Sequence, residues 1–486
     1  MPLIDFRSRG KWRSLLLLGF LVLASVFLFS HLRPLGSVSE NTPIIENTPV
    51  IEYTGPSTTI SVSEEEQVPV LPPPHITVPD QVPFCAERFG TKYLEKLRDS
   101  ATQYCNESQV LTCFHSQIVN RWDSFCFGKE AKFQPEDGKF HLGCDLTRAR
   151  KTDSISKLPE PNDFHKYWYD TVPSRVLDGL VKMDHEAEFS SQRSQNYTIL
   201  VKRESATNLW YTMMEIYSMM LSLDVLHMTL QPNMPSIPSI SKSDAENTQL
   251  VILDDHEDGP YSELWSLFAK KQVIRMKDVS PNTRFENIIV PLAGGSNPLW
   301  QGDWEINTCE SSSLLNMFVN RVLSFYSLRN MKPGQSDKLT LTFTDGAGGQ
   351  RLADQEKYLK ELQNYFPHVN IQLIDFSAIS FKEQLKIIQE TDVLAGVHGA
   401  GLTHGIFLPP GSVMVEILPN NPNHKGFRNV ASLRGHSYFS TSVSKTSKKP
   451  NWHGEDISIE IGKFLAIMNL AIKTMYNKGL RNYNAS

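Results

Sequence analysis

The chain has 486 residues, enough for two domains with further segments, and a mild formal net charge of −5. No basic balance argues for nucleic acid, so no nucleic-acid partner is expected. Its six cysteines include no Cys-x-x-Cys pair and no Cys/His metal spacing, which favours disulfides over a zinc site. Asn-x-Ser/Thr sequons at Asn106, Asn196 and Asn484 agree with a secretory route.

At the N-terminus, Arg7, Arg9, Lys11 and Arg13 precede the apolar run Leu15–Phe29. The run is short against the roughly 17–25 residues of a membrane span, so a cleaved signal peptide competes with an anchor. No small-x-small site follows, however: Phe27-Leu28-Phe29 is bulky and His31-Leu32-Arg33-Pro34 comes next. The sequence is therefore read as a cytoplasmic tail over 1–13 and an uncleaved transmembrane signal anchor over 14–30, oriented by its positive flank. Residues 31–82 are rich in Pro, Ser, Thr, Val and Glu without a sustained period, as expected of a disordered stem. This is the layout of a single-pass type II Golgi membrane protein with its globular part luminal, although receptors and adhesion proteins share it.

Residues 83–150 hold five of the cysteines and read as a disulfide-tied cap, with Cys309 standing apart. From 151 to 332 the pattern is α/β. Tyr197–Arg203 is a strand, followed by a helix with Leu209, Met213, Ile216, Met220 and Leu223 on its core face. Asn208 stands at the start of that helix, where an N-cap role competes with a ligand role. Gln249–Asp255, Val273–Lys277 and Asn287–Gly295 are further strands, and Ser313–Leu328 is an amphipathic helix. Pro333-Gly334 marks a linker into a second α/β domain over 333–486. Its strand Lys338–Thr344 is followed by alternating helices and strands, one helix opening on a Ser380/Glu383 capping box. The helix Ile457–Tyr476 is expected to pack back across both domains. Two doubly wound domains of this kind bind ligands where their carboxyl strand ends face each other.

The densest signal is Thr391–Glu416, TDVLAGVHGAGLTHGIFLPPGSVMVE. A β-branched run turns into His398-Gly399-Ala400-Gly401-Leu402-Thr403-His404, and a second apolar run follows Pro409-Pro410-Gly411. Small residues at a strand-to-helix turn let a ligand approach the backbone, and a helix start suits a phosphate. No Walker A, GxSxG or HExxH motif is present, and no DxD; Asp254-Asp255 is the nearest approach to a metal-dependent sugar-nucleotide site.

The run GVHGAGLTHGIFLPPGSVMVEI resembles the signature of glycosyltransferase family 61, with weaker likeness at Glu204–Ser218, at LTFTDGAGGQRLADQE and at Ala431–Phe439. The family includes plant β-1,2-xylosyltransferases and animal O-linked N-acetylglucosaminyltransferases acting on EGF domains. The resemblance implies a GT-B-like fold, with two Rossmann-like domains facing a cleft. It also implies a UDP-sugar donor, a glycan or glycoprotein acceptor, inversion at the anomeric carbon and no essential metal, manganese not being expected. Carried over by position, His398 and the turn Gly399, Ala400, Gly401, Leu402, Thr403 and His404 would hold the diphosphate. Glu416 would accept hydrogen bonds from ribose or uracil, and Arg351 would stand near the phosphates. Asn208 would orient donor or acceptor, and Glu215 would be the base. Two departures stand out. Tyr211 replaces a histidine of many members, and Asp345-Gly346-Ala347-Gly348 stands where many have an arginine. A tyrosine does not carry a proton at neutral pH as a histidine does. These departures motivate a second reading, a catalytically impaired glycan- or nucleotide-binding relative.

Overall fold

The computed structural model describes residues 82–486 except 106–109, 119–120, 145–170, 172, 185–195, 232–233, 330–337, 347–349, 420–423, 444–455 and 480–486. The expected tail and anchor, all of the stem but Val82, and the sequons at Asn106 and Asn484 lie outside the described residues. Among the described residues, no helix is long and apolar enough to cross a membrane.

Helices α1 (Pro83–Phe89) and α2 (Thr91–Asp99) lead into β1 (Thr102–Gln103), β2 (Leu111–Ile118), β3 (Arg121–Gln134) and β4 (Lys139–Leu142). Then come α3 (Pro173–Leu180), β5 (Val181–Met183), β6 (Tyr197–Val201), α4 (Leu209–Met228) and a hairpin of β7 (Leu230–Gln231) and β8 (Met234–Pro238). Strands β9 (Thr248–Ile252), β10 (Ile274–Arg275) and β11 (Arg284–Val290) follow. Nine of these strands form one sheet, ordered β1-β2-β3-β11-β6-β9-β10, with β4 bonded to β3 and β5. Within it β11, β6, β9 and β10 run parallel, whereas β3 is antiparallel to β11. The stretch read as a cysteine-rich cap therefore supplies strands that extend this sheet.

Short helix α5 (Pro298–Gln301) and α6 (Ser313–Phe325) connect to the second half. It consists of β12 (Thr340–Thr344), α7 (Gln355–Tyr365), β13 (Asn370–Ile374), α8 (Phe381–Gln389), β14 (Val393–Val397) and a 3₁₀ helix (Ala400–Phe407). Strand β15 (Val413–Leu418), α9 (Gly426–Leu433), β16 (Ser437–Ser442) and α10 (Ile461–Asn477) complete it. Its five strands are all parallel in the order β13-β12-β14-β15-β16. The Ser380/Glu383 capping box opens α8 as the sequence predicts. Chain order reverses between β12 and β14 here, and between β6 and β11 in the first sheet. Such reversals leave a crevice outside the carboxyl strand ends.

Helix α4 is buried on every side from Thr212 to Leu226, more than the single core face its period suggests. Inside it, Asp224 is neutralised by Arg321 at 2.9 Å, with both side chains buried. One apolar core runs from Ile199, Leu250 and Ile289 of the first sheet through α4 to Leu394, Leu402, Phe407 and Met414 of the second half. The two sheets thus share a core around α4. A second core covers the other face of β12, β14 and β15. Helix α10 buries Phe464, Met468, Ile472 and Met475 in that second core alone, so it does not pack across both halves as expected. All six cysteines are paired, as Cys85–Cys309, Cys105–Cys144 and Cys113–Cys126. Cys309 therefore does not stand apart; it ties α1 to the segment before α6.

Candidate functional site

Strand alternation sets the donor-side geometry. Val393, Ala395 and Val397 of β14 enter the outer core while Leu394 turns inward, so Gly396 and His398 share the inward parity. In β15, Val413, Val415 and Ile417 go outward and Met414 inward, which puts Glu416 inward as well. In β16, Tyr438 packs on the inner core and Phe439 on the outer one. The result is a hydrogen-bonded triad at the carboxyl side of the sheet: His398 Nδ1–H donates to Glu416 Oε1, and the Tyr438 hydroxyl donates to Glu416 Oε2. In this assignment Nδ1 carries a proton and faces the carboxylate. Burial, and then the Glu416 charge, push the Tyr438 phenol well above its ordinary range, so it stays a donor. Glu416 is 2% exposed with both oxygens engaged. It serves His398, and the expectation that it meets ribose or uracil does not fit.

The glycine-rich turn divides into crowded and uncrowded positions. A Cβ on Gly396 would lie 2.1 Å from Thr344 Oγ1, and one on Gly401 would lie 3.2 Å from Thr344 Cβ. On Gly405 it would meet Met414 at 2.3 Å. At Gly399 the nearest atom would be Val397 O at 3.9 Å, an ordinary contact, so that residue alone of the four could carry a Cβ without crowding. Gly399, Ala400 and Gly401 are partly exposed at the start of the 3₁₀ helix, whereas Leu402, Thr403 and His404 are buried. Early N–H groups of such a helix have no partner within it. His404 is a brace for the turn. Its Nδ1 lies 2.7 Å from Gly401 O, its Nε2 lies 2.8 Å from Gln384 Oε1, and its ring stacks on Phe376 at 4.0 Å. Burial lowers its pKa to about 4, with the hydrogen bond to the Gly401 carbonyl acting in the opposite direction. The expected pairing of His398 with His404 around a diphosphate is thus corrected: only His398 stands at the crevice.

Arg351 lies beside the same reversal point, its Nε 3.1 Å from Asp345 Oδ1 just past the end of β12. A Cβ at Gly346 would meet Gln350 O at 2.5 Å, so a longer side chain does not fit position 346 in this loop geometry.

On the first sheet, Asn208 caps α4, its Oδ1 accepting from Trp210 N at 3.0 Å and from Tyr211 N at 3.4 Å. Glu215 sits two turns further along, between the ends of β6 and β11. Its Oε1 accepts from Glu204 N at 2.5 Å, while Oε2 is buried without a hydrogen-bond partner. Gly294 makes the room, since a Cβ there would be 2.9 Å from Glu215 Cγ. A small cavity opens here, lined by Lys202, Glu215, Met219, Trp265 and Gly294. Burial, then the charges of Glu204 and Asp254, hold the Glu215 carboxyl well above the usual range, and Arg203 opposes them only in part. Asp254 itself is engaged by buried Arg203, through Nη2 at 2.8 Å to Oδ1 and through the backbone N at 2.7 Å to Oδ2. That ion pair leaves Asp254 poorly placed as a metal ligand.

The two halves of the site are connected by aromatic packing. Tyr211 stacks on Trp300 at 5.1 Å, Trp300 meets Trp210 at 6.2 Å, and Trp210 meets Phe427 at 5.6 Å. Phe427 in turn lies 5.4 Å from the His398 ring. Three residues here were not singled out from the sequence. Tyr438 was within reach of the β16 alternation. His424 and Asp303 carry no local signal, because they meet across 121 positions, Nε2 to Oδ2 at 3.2 Å, with the His424 ring 5.0 Å from that of His398.

The family model for Glycosyltransferase 61 matches residues 305–415, a span that ends at β15 and includes the whole glycine-rich turn. The chain is 25% identical over 312 residues to the EGF domain-specific O-linked N-acetylglucosamine transferase of Drosophila melanogaster, covering 61% of this chain and 54% of that protein. The Gallus gallus protein of the same description is 28% identical over 211 residues, 41% of this chain and 38% of its own. A β-1,2-xylosyltransferase of Oryza sativa subsp. japonica is 25% identical over 286 residues, 52% and 50% of the two chains. The chain thus spans about half the length, or less, of these relatives. The motif, the matched span and these likenesses agree in making the chain similar to members of glycosyltransferase family 61 over part of its length.

Proposed function

We propose that the protein is an inverting, UDP-sugar-dependent glycosyltransferase with a GT-B-like pair of Rossmann-like halves. It moves xylose or N-acetylglucosamine to a glycoprotein glycan, a polysaccharide or a protein hydroxyl. The observation that carries this reading is the His398–Glu416–Tyr438 triad at the β12/β14 reversal, beside the uncrowded Gly399. With Nδ1–H held by Glu416, a second proton on Nε2 makes the ring an imidazolium that donates to a diphosphate oxygen as the leaving group gains charge. Gly399–Gly401 N–H groups and Arg351 add to that stabilisation, so no essential cation is required. Across the cleft Glu215 is the base. Its raised pKa suits it to take the acceptor O–H proton as that oxygen attacks the anomeric carbon from the face opposite the diphosphate. Asn208 orients the substrates through the helix it caps, and the Tyr211–Trp300 stack walls the cleft and excludes water. The three disulfides and the basic-flanked apolar run at 14–30 support residence as a type II protein of the Golgi membrane, catalytic part luminal.

The purified protein should be stabilised in thermal-shift titrations by at least one of UDP-xylose, UDP-N-acetylglucosamine and UDP-arabinose, and should transfer from it. Binding to no UDP-sugar would sink the reading. A second reading, a relative that binds without turnover, draws on Tyr211 being locked in its stack in place of a histidine. It predicts UDP-sugar binding with no product, and recovery of activity in Tyr211→His.

A further inference from the structure

Two adjacent residues before α6 reach the second half in opposite ways. Asp303 is buried and takes His424 Nε2 at 3.2 Å, while Lys425 N donates to Asp303 O at 2.5 Å. Trp304 is 54% exposed, yet its ring stands 5.4 Å from His424 at 86°. That puts an exposed indole two ring contacts from His398, at the rim of the cleft.

The segment that displays it is rigid. Asn429 Nδ2 donates to Gly302 O at 2.9 Å and to Glu305 O at 2.7 Å, and Asn307 N donates to Asn429 Oδ1 at 3.2 Å. The Cys85–Cys309 disulfide closes the far end. This braced segment holds the indole against His424 while more than half of its surface stays exposed. The chain that follows it is polar and acidic, with Glu305 and, six positions on, Glu310 exposed and Asn307 partly so. An indole face carries negative quadrupole charge and fits the weakly positive C–H face of a pyranose. Flanking carboxylates and an amide match its hydroxyls. The same carboxylates repel an acidic glycan. A protein partner would want a broader apolar surface than one tryptophan with Ile306 beside it.

We propose that Trp304 is the acceptor platform of this enzyme, stacking an uncharged sugar ring of a glycan acceptor at the cleft mouth with Glu305 and Glu310 on its hydroxyls. The word acceptor rests on the transferase reading above; sugar binding at Trp304 does not.

The test is calorimetric or ligand-observed NMR titration of the full chain with two neutral oligosaccharides, the N-glycan core and a xylo-oligosaccharide, which separate a glycoprotein source from a polysaccharide one. A folded, unglycosylated EGF module is a third arm, and UDP is titrated in parallel. Trp304→Ala should weaken the preferred oligosaccharide about tenfold, equivalent to about 1.4 kcal/mol. Trp304→Phe should retain most of the affinity, and UDP binding and the melting curve should not change. The proposal is overturned if Trp304→Ala binds oligosaccharide as the wild type does, or if the wild type binds neither oligosaccharide. It is also overturned if only the EGF module binds in a Trp304-dependent way. Trp304-dependent sugar binding without any UDP binding would keep the platform and remove the donor reading.

Discussion

Glu215→Gln separates catalysis from stability at one atom. The glutamine keeps the acceptor for Glu204 N and places an amide where the partnerless Oε2 now sits. In the wild type, burial and the charges of Glu204 and Asp254 raise the carboxyl pKa well above the ordinary 4.5, with Arg203 the opposing charge. The folded state therefore holds a proton that the unfolded chain gives up, so wild-type stability falls as pH rises from about 4.5 through the folded pKa. The glutamine has nothing to titrate. It should leave stability nearly unchanged below pH 4.5 and exceed the wild type above it, by about 1.4 kcal/mol for each unit of pKa elevation. The gap should level off once pH passes the folded pKa. Denaturant unfolding at a series of pH values reads the difference, and transfer assays on the same samples should show turnover lost while UDP-sugar binding persists. A gap that does not depend on pH, or a variant less stable than the wild type at alkaline pH, would refute the buried-acid account. Full turnover in the variant would remove Glu215 as the base.

The turn glycines should respond in opposite ways. Gly399→Val should lower UDP-sugar affinity about tenfold or more without moving the melting curve, since a Cβ there crowds no protein atom. Gly396→Ala should cost about 1–3 kcal/mol of stability, because its methyl meets Thr344. Binding unaffected in the first or a stable fold in the second would contradict the packing assignment. His404→Ala should destabilise by about 1–3 kcal/mol by orphaning Gly401 O and Gln384. UDP affinity of the folded fraction should be retained, and loss of binding with an unchanged melt would restore His404 to the phosphate site. With Asp254 held by Arg203, chelation by EDTA should leave transfer rates unchanged. Abolition by EDTA with rescue by Mn²⁺ would require a metal site that the pairing of Asp254 does not offer.

Much of this fold is legible in the sequence because the second half alternates short apolar runs, buried on both faces, with helices of period 3.6. Strands at Val393–Val397 and Val413–Leu418 and the Ser380/Glu383 box follow from residue order alone. What escapes is long-range. Nothing local shows that β3 extends the first sheet onto β11, that Cys85 pairs with Cys309, or that α10 commits to one core. The site divides the same way. His398 and Glu215 stand out as polar residues in apolar or glycine-rich settings. The roles of Glu416 and His404 come out differently, because a sequence does not show that both oxygens of one, or both ring nitrogens of the other, are already taken.

The central claim is that the β12/β14 crevice holds a sugar-nucleotide diphosphate through His398 as oriented by Glu416. Titration of UDP-sugar into His398→Ala, Glu416→Gln and the double variant tests it most directly. Loss of a charge-assisted hydrogen bond should weaken binding roughly tenfold to a hundredfold in each single variant. The double variant should be little worse than His398→Ala alone, because Glu416 acts through that ring. Wild-type affinity in His398→Ala, with the fold intact, would contradict the account.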